Sequence, residues 1–296
     1  MQTIQSILKH TMCLYGTRTA IIRGAFSITY RELQKRADGV AAWLMKHGAI
    51  PGQTIVGVLL NDTIDLIIAI LGILRCGCIF CPMDIKYPTK RIQKYLDHIS
   101  CKMVIVDKNA VCTDLRGIDK IEIADVENYL CDECLRFDMS SYRLEDPIYI
   151  YFTSGTTQSP EENLGKNMGL VHFIQWEIKE LKLDENVRIS QLTPPCHDPF
   201  LRDIFVPLMT GGTICLPEKP AYSLSPLKLV QYLDTQKVNL VHITPSLFRV
   251  MAAQAVECRI GLENLNYICL AGESIYPSDL KLWFKTYSNR IKLMNL

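Results

Sequence analysis

Residues 55–60 (Ile-Val-Gly-Val-Leu-Leu) form a short, almost wholly apolar run between two helical patterns. Such a run fits a strand covered on both faces, the usual state of a strand inside a parallel sheet. Upstream, Thr29-x-x-Glu32 spells a capping box. It precedes Leu33, Ala37, Val40, Ala41 and Leu44, which share one helical face, and Gly48 is placed to close that helix. Downstream, Asn61 and Asp62 can cap a second helix that Gly77 ends. Pro88 opens a third helix at its first turn, ahead of a strand over residues 103–106. Strand, helix, strand, helix predicts an α/β fold with right-handed crossovers.

A charged stretch over residues 108–145 has weak periodicity and is expected to carry the chain between two sheets. The pattern resumes after Pro147, with helices predicted over residues 229–234, 245–254 and 277–287 and strands over 238–243 and 267–270. The expected architecture is two packed α/β subdomains with mainly parallel sheets. Residues 1–146 form the first subdomain and crossover, and residues 147–296 the second.

With 296 residues, 48% of them hydrophobic, the chain can bury one large core or two moderate ones. A formal charge of +1 argues against a nucleic-acid footprint. Residues 1–18 hold no continuous apolar signal core. The longest apolar stretch, residues 64–74, contains Asp65 and is far too short to span a bilayer. A cytoplasmic protein without nucleic-acid or membrane partners is therefore expected. Among the 12 cysteines, Cys78-x-x-Cys81 and Cys131-x-x-Cys134 have the spacing of two half-sites for zinc. The first pair falls on a predicted strand, however, where residues three apart point to opposite faces. No metal site is expected within the chain, and no disulfide framework.

Residues 147–157 (Pro-Ile-Tyr-Ile-Tyr-Phe-Thr-Ser-Gly-Thr-Thr) carry the clearest chemical signal. A β-rich run ends in hydroxyl side chains around one glycine, a donor-rich concavity of the kind polyphosphates need. No Gly-Lys-Ser/Thr follows, so it is not a Walker loop. A plain polar β-turn is the other reading open to these residues.

This Tyr-Phe-Thr-Ser-Gly-Thr-Thr stretch resembles the phosphate loop of the adenylate-forming superfamily, which holds nonribosomal peptide synthetase adenylation domains, acyl-CoA synthetases and luciferases. Three other segments are similar to family motifs, in family order: Phe26-Ser-Ile-Thr-Tyr-Arg-Glu-Leu33, residues 71–88 and Leu270-Ala-Gly-Glu-Ser274. The resemblance implies the large N-terminal region of that fold. It implies that Thr153, Ser154, Gly155, Thr156 and Thr157 cradle the phosphates of ATP, and that Gly272, Glu273 and Asn295 lie on the adenine side. Residues 193–205 look like the family segment Phe-Asp-x-Ser-x-x-Glu-Ile-Phe with its lead-in. By that match Asp198 would pair with the α-ammonium of an amino acid, and Pro199, Arg202, His242, Cys269 and Ala271 would line the substrate pocket. From the residues alone, Asp198 could instead be a helix N-cap ahead of Leu201, and His242 a core histidine with one satisfied nitrogen.

The family continues Gly-x-Pro-Lys-Gly after this loop, whereas here the register reads Gln158-Ser159-Pro160-Glu161-Glu162. At an effective dielectric of about 20, a carboxylate about 6 Å from one phosphate charge opposes binding by roughly 3 kcal/mol. Lys166 is the nearest lysine that could substitute. Asn295 and Leu296 match the pair that leads into the family's Tyr-Gly-Pro-Thr-Glu, and the family's magnesium-binding Glu and catalytic lysine have no match. The expected identity is a truncated adenylation core of the nonribosomal peptide synthetase type, inactive or nearly so by itself. Its complete form would use Mg²⁺ and ATP to make an aminoacyl-AMP. The partners would be a complementary C-terminal polypeptide and a carrier protein bearing phosphopantetheine. The alternative is a degenerate, non-catalytic domain that acts as a scaffold or small-molecule binder.

Overall fold

The computed structural model describes residues 1–108, 114–126, 129, 141–153, 161–219 and 223–296. Of the residues singled out above, Ser154, Gly155, Thr156, Thr157, Gln158, Ser159, Pro160, Cys131 and Cys134 lie outside this set.

Along the chain, helix α1 (Ile4–Leu14) precedes strands β1 (Thr19–Arg23) and β2 (Phe26–Thr29) and helix α2 (Tyr30–Lys46). Then come β3 (Ile55–Leu59), α3 (Thr63–Arg75), β4 (Ile79–Pro82), α4 (Thr89–His98), β5 (Met103–Val106), β6 (Asp119–Glu122) and the short α5 (Ile123–Val126). A hairpin of β7 (Pro147–Thr153) and β8 (Glu161–Lys166) leads into α6 (Asn167–Glu180), β9 (Arg188–Ser190), α7 (Phe200–Thr210) and β10 (Thr213–Leu216). The remainder is α8 (Pro226–Thr235), β11 (Leu240–Ile243), α9 (Pro245–Glu257), β12 (Tyr267–Leu270), α10 (Pro277–Tyr287) and β13 (Lys292–Asn295).

The chain forms two compact units, and it crosses between them repeatedly. One comprises Met1–Thr17, Thr29–Trp176 and Pro194–Asp198, the other Arg18–Ile28, Glu177–Thr193 and Pro199–Leu296. The expected single division at residue 146/147 differs from this arrangement. Strand β7 pairs with β4, and β8 pairs with β7, so the hairpin belongs to the first unit's sheet. Local periodicity identifies a strand but not its sheet, because sheet membership rests on hydrogen bonds to distant segments.

The first unit holds a six-stranded sheet in the order β6-β5-β3-β4-β7-β8, parallel except for the β7–β8 pair. Strand β6 extends this sheet from within the stretch expected to be a mere crossover. The capping box forms as spelled: Thr29 and Glu32 cap α2 reciprocally. Asp62 caps α3 by accepting from the amides of Ile64 and Asp65. The apolar stretch with Asp65 is this buried helix, and Asp65 pairs with Arg36 of α2 at 3.1 Å. Cys78 and Cys81 are both buried free thiols. No described helix is long and apolar enough to cross a membrane.

The second unit is built on a seven-stranded sheet, β13-β12-β11-β9-β10-β1-β2. The pairs from β13 across to β1 are all parallel. Helices α8, α9 and α10 cover one core of this unit, where Trp283 packs edge-on against Phe248 at 5.2 Å between ring centroids.

Within the first unit, a Cβ on Gly72 of α3 would stand 2.5 Å from Val40 Cβ and 2.9 Å from the Ala37 carbonyl oxygen of α2. Alanine gains up to about 1 kcal/mol of helix propensity over glycine, but overpacking of this kind costs about 1–3 kcal/mol. Gly72→Ala is expected to destabilise the chain in urea denaturation. A stabilised variant would show that the two helices do not approach this closely.

Candidate functional site

In the second unit, β11 and β12 lie side by side with His242 opposite Cys269 in the register. Both side chains therefore project from the same face of the sheet. Helix α7 is buried along Phe200–Leu208 and turns Arg202 and Asp203 inward. The last turn of α6 contributes Glu177, which is fully buried.

These groups satisfy one another. Arg202 Nε donates to Glu177 Oε2 at 2.8 Å. The other oxygen of Glu177 lies 2.6 Å from His242 Nε2, and His242 Nδ1 lies 2.7 Å from Asp203 Oδ1. The second oxygen of Asp203 accepts from the amides of Leu192 and Thr193 at 3.3 and 3.2 Å. No side chain in this network is more than 6% exposed. Charges buried so deeply survive only when paired and hydrogen-bonded.

Burial raises the Glu177 carboxyl, but the charge and hydrogen bond of His242, together with Arg202, outweigh burial and hold it down at about 2. Burial and the Arg202 charge push His242 down. Glu177, with hydrogen bonds to Asp203 and Cys269, prevails and holds the imidazole well above its ordinary value. His242 is thus not a core histidine with one satisfied nitrogen, since both nitrogens are engaged.

Beyond β12 the chain turns through Ala271, Gly272 and Glu273. Gly272 has φ +85°, a left-handed conformation that favours glycine, and open space where a Cβ would stand. Glu273 caps the start of α9 by accepting from Ser246 N at 2.9 Å and Ser246 Oγ at 2.7 Å. Asn295 pairs with Leu270 at the end of β13. Pro199 is the N-cap of α7 and receives no side-chain cap. Asp198 does not serve as the cap of that helix. It is exposed and belongs to the first unit. There, burial and then the Asp198 charge raise the phenols of Tyr149 and Tyr151 on β7.

Thr153 ends β7 opposite Glu161 in the hairpin register, so the carboxylate stands at the mouth of the loop expected to take phosphate. Glu162 is drawn to His98 of α4 at 2.5 Å. Lys166 pairs with Pro147 at the far end of the hairpin, five residues beyond Glu161. At about 3.4 Å per residue that is roughly 17 Å of strand away from Glu161.

Among the proposed site residues, the structure brings Arg202, His242 and Cys269 together in the second unit. Ala271, Gly272, Glu273, Pro199 and Asn295 belong to that unit, whereas Thr153 and Asp198 belong to the first. Glu177 and Asp203 were missed. Asp203 had a signal, standing at the Glu position of the segment that contains Asp198. Glu177 had one too, as a carboxylate on the helical stripe of Leu170, Ile174 and Leu181.

The family model described as AMP-binding enzyme matches residues 8–296. The chain belongs to the AMP-binding enzyme family. Gramicidin S synthase 2 of Brevibacillus brevis is 26% identical over 295 residues, which cover 99% of this chain and 6% of that protein. Surfactin synthase subunit 2 of Bacillus subtilis (strain 168) is 26% identical over 272 residues, covering 92% of this chain and 8% of that one. Among solved structures, the N-terminal subdomain of Klebsiella oxytoca NpsA in complex with 3-hydroxyanthranilyl-AMSN superposes with a TM-score of 0.85 at 21% identity, covering 100% of this chain and 72% of that one. This member of the AMP-binding family is thus homologous to nonribosomal peptide synthetase adenylation domains and has the fold of their N-terminal subdomain. It spans a small part of the two synthetases.

Removing Glu177 takes away the carboxylate that Arg202 and His242 share. Glu177→Leu is expected to destabilise the second unit by about 3–5 kcal/mol. Arg202→Leu added to it should cost less than the two single changes summed, by about 0.5–3 kcal/mol. Strict additivity in urea denaturation would mean that the pair is not coupled.

Proposed function

We propose that this chain is the N-terminal part of an adenylation domain of the nonribosomal peptide synthetase type. The complete form activates an amino acid with Mg²⁺ and ATP as an aminoacyl-AMP, then delivers it to the phosphopantetheine thiol of a carrier protein. The observation that carries this reading is the gathering of Arg202, His242 and Cys269 on neighbouring parallel strands and the helix beside them, with the Gly272–Glu273 turn following directly. Ligands of open parallel sheets bind beyond the carboxyl ends of the strands. In this proposal Asp198 receives the α-ammonium, and Pro199, Arg202, His242, Cys269 and Ala271 line the side-chain pocket. Gly272, Glu273 and Asn295 border the adenine, and residues 153–157 take the phosphates. In this proposal turnover belongs to the complete form, with a complementary polypeptide as partner.

A second reading, a small-molecule binder or scaffold without catalysis, is favoured by the phosphate side. Glu161 stands where the family has lysine, and Lys166 sits at the wrong end of the hairpin. Calorimetric titration with Mg·ATP separates the two readings. Under the adenylation reading the chain binds Mg·ATP, and Glu161→Lys with Glu162→Gly tightens binding at least about tenfold, a change of about 1.4 kcal/mol. No binding by either folded protein supports the second reading. Asp198→Ala should weaken amino-acid binding at least about tenfold and leave Mg·ATP affinity unchanged, since the contact at issue is a charge-assisted hydrogen bond to the ammonium. Retained amino-acid affinity in that variant removes Asp198 from the site.

A further inference from the structure

The buried network of the second unit has one more donor than its ion pairs use. Oxygen, nitrogen and sulfur ligand atoms of Glu177, His242 and Cys269 all lie within 4.8 Å of one another, and all three residues are buried. We propose that these three side chains bind one divalent transition-metal ion of the zinc class.

The argument begins with the imidazole. His242 Nδ1 faces Asp203 Oδ1 at 2.7 Å and Nε2 faces Glu177 Oε1 at 2.6 Å. Ionised carboxylates only accept, and a neutral imidazole has a single N–H to donate. A cation must therefore occupy one of the two contacts, either a second ring proton or a metal ion. Asp203 decides which contact. Its carboxylate is oriented by the amides of Leu192 and Thr193, so it holds the ring with Nδ1–H toward itself and leaves the Nε2 lone pair for the metal. A carboxylate behind a ligating histidine is the recurrent outer partner of zinc sites.

Cys269 selects the class of ion. Magnesium and calcium take oxygen ligands, whereas a mixed sulfur, nitrogen and oxygen set suits zinc and its neighbours. With metal–ligand lengths of about 2.0–2.3 Å, tetrahedral donors stand about 3.3–3.8 Å apart. The close Nε2–Oε1 contact must open by about 0.7 Å on the way to that spacing, within the play of two side chains. The sheet register already fixes the His242–Cys269 pairing.

Charge is conserved in the exchange. Without metal, Arg202 and an imidazolium balance Glu177 and Asp203. With metal, the ion displaces the second ring proton and the thiol proton, two positive charges for two. Arg202 Nε stays on Glu177 Oε2, the oxygen turned away from His242. The fourth position goes to a water or another external donor.

Two of the ligands, His242 and Cys269, also line the side-chain pocket of the adenylation proposal, and the test separates the two because it uses neither nucleotide nor amino acid. The chelator-treated chain is titrated with Co²⁺ and followed by absorption. The expected result is a thiolate-to-cobalt band that saturates at one ion per chain and is bleached by Zn²⁺. Cys269→Ala should lose the band with at least a hundredfold drop in affinity, and Asp203→Asn should lower affinity 10- to 100-fold. Cys131→Ser with Cys134→Ser should leave the band unchanged. Near-ultraviolet circular dichroism establishes that each variant is folded. As a second readout, Zn²⁺ raises the melting temperature of the parent chain but not of Cys269→Ala. Absence of a saturable band, or a band that survives in Cys269→Ala, overturns the proposal.

Discussion

Four ionisable side chains lie in the interior of the second unit, and their mutual pairing is the condition on which its packing rests. Taking a carboxylate or a guanidinium out of water costs several kcal/mol per ion even after relaxation. Glu177, Arg202, Asp203 and His242 meet that cost jointly, through three contacts of 2.6–2.8 Å and two backbone amides. An apolar filling of the same volume would be at least as stable on general grounds. Under the proposed function, this position beside the ends of parallel strands is where the ligand binds.

The two ends of the proposed chemistry differ in how well the chain is equipped for them. On the base side, the left-handed Gly272 and the Glu273 carboxylate bonded to Ser246 make an open, ordered turn. On the phosphate side, a strand that ends in Thr153 faces Glu161 across the hairpin, and Lys166 pairs with Pro147 at the other end of β8. The ion pair of Glu162 with His98 engages one of the two added carboxylates. The other, Glu161, lies opposite Thr153 in the hairpin register.

Much of the fold could be read from local pattern. The reciprocal cap of Thr29 and Glu32, the strand over Met103–Val106 and the helix over Pro277–Tyr287 lie where period and capping place them. Strand β6 was hidden, because its four residues, three of them charged, carry no alternation long enough to stand out. The division at residue 146/147 was unreadable in the same way. The β7–β8 hairpin carries a clear strand signal but nothing that names its partner sheet. In the candidate site, Arg202, His242 and Cys269 were proposed from motif position, Asp203 stands at a motif position that went unread, and Glu177 lies outside the motifs.

By itself the sequence determined the helices and strands of the α/β pattern, the family motifs, the charge reversal at Glu161 and the added charge at Glu162. These are local properties, written in caps, periods and short runs that neighbouring residues enforce. Only the tertiary structure decided which sheet each strand joins, that Lys166 pairs with Pro147, and that Glu177 meets His242 across 65 positions of chain. Contacts of that kind depend on desolvation and on the closing of long loops. Both are set by the packed molecule as a whole, and no window of sequence contains them.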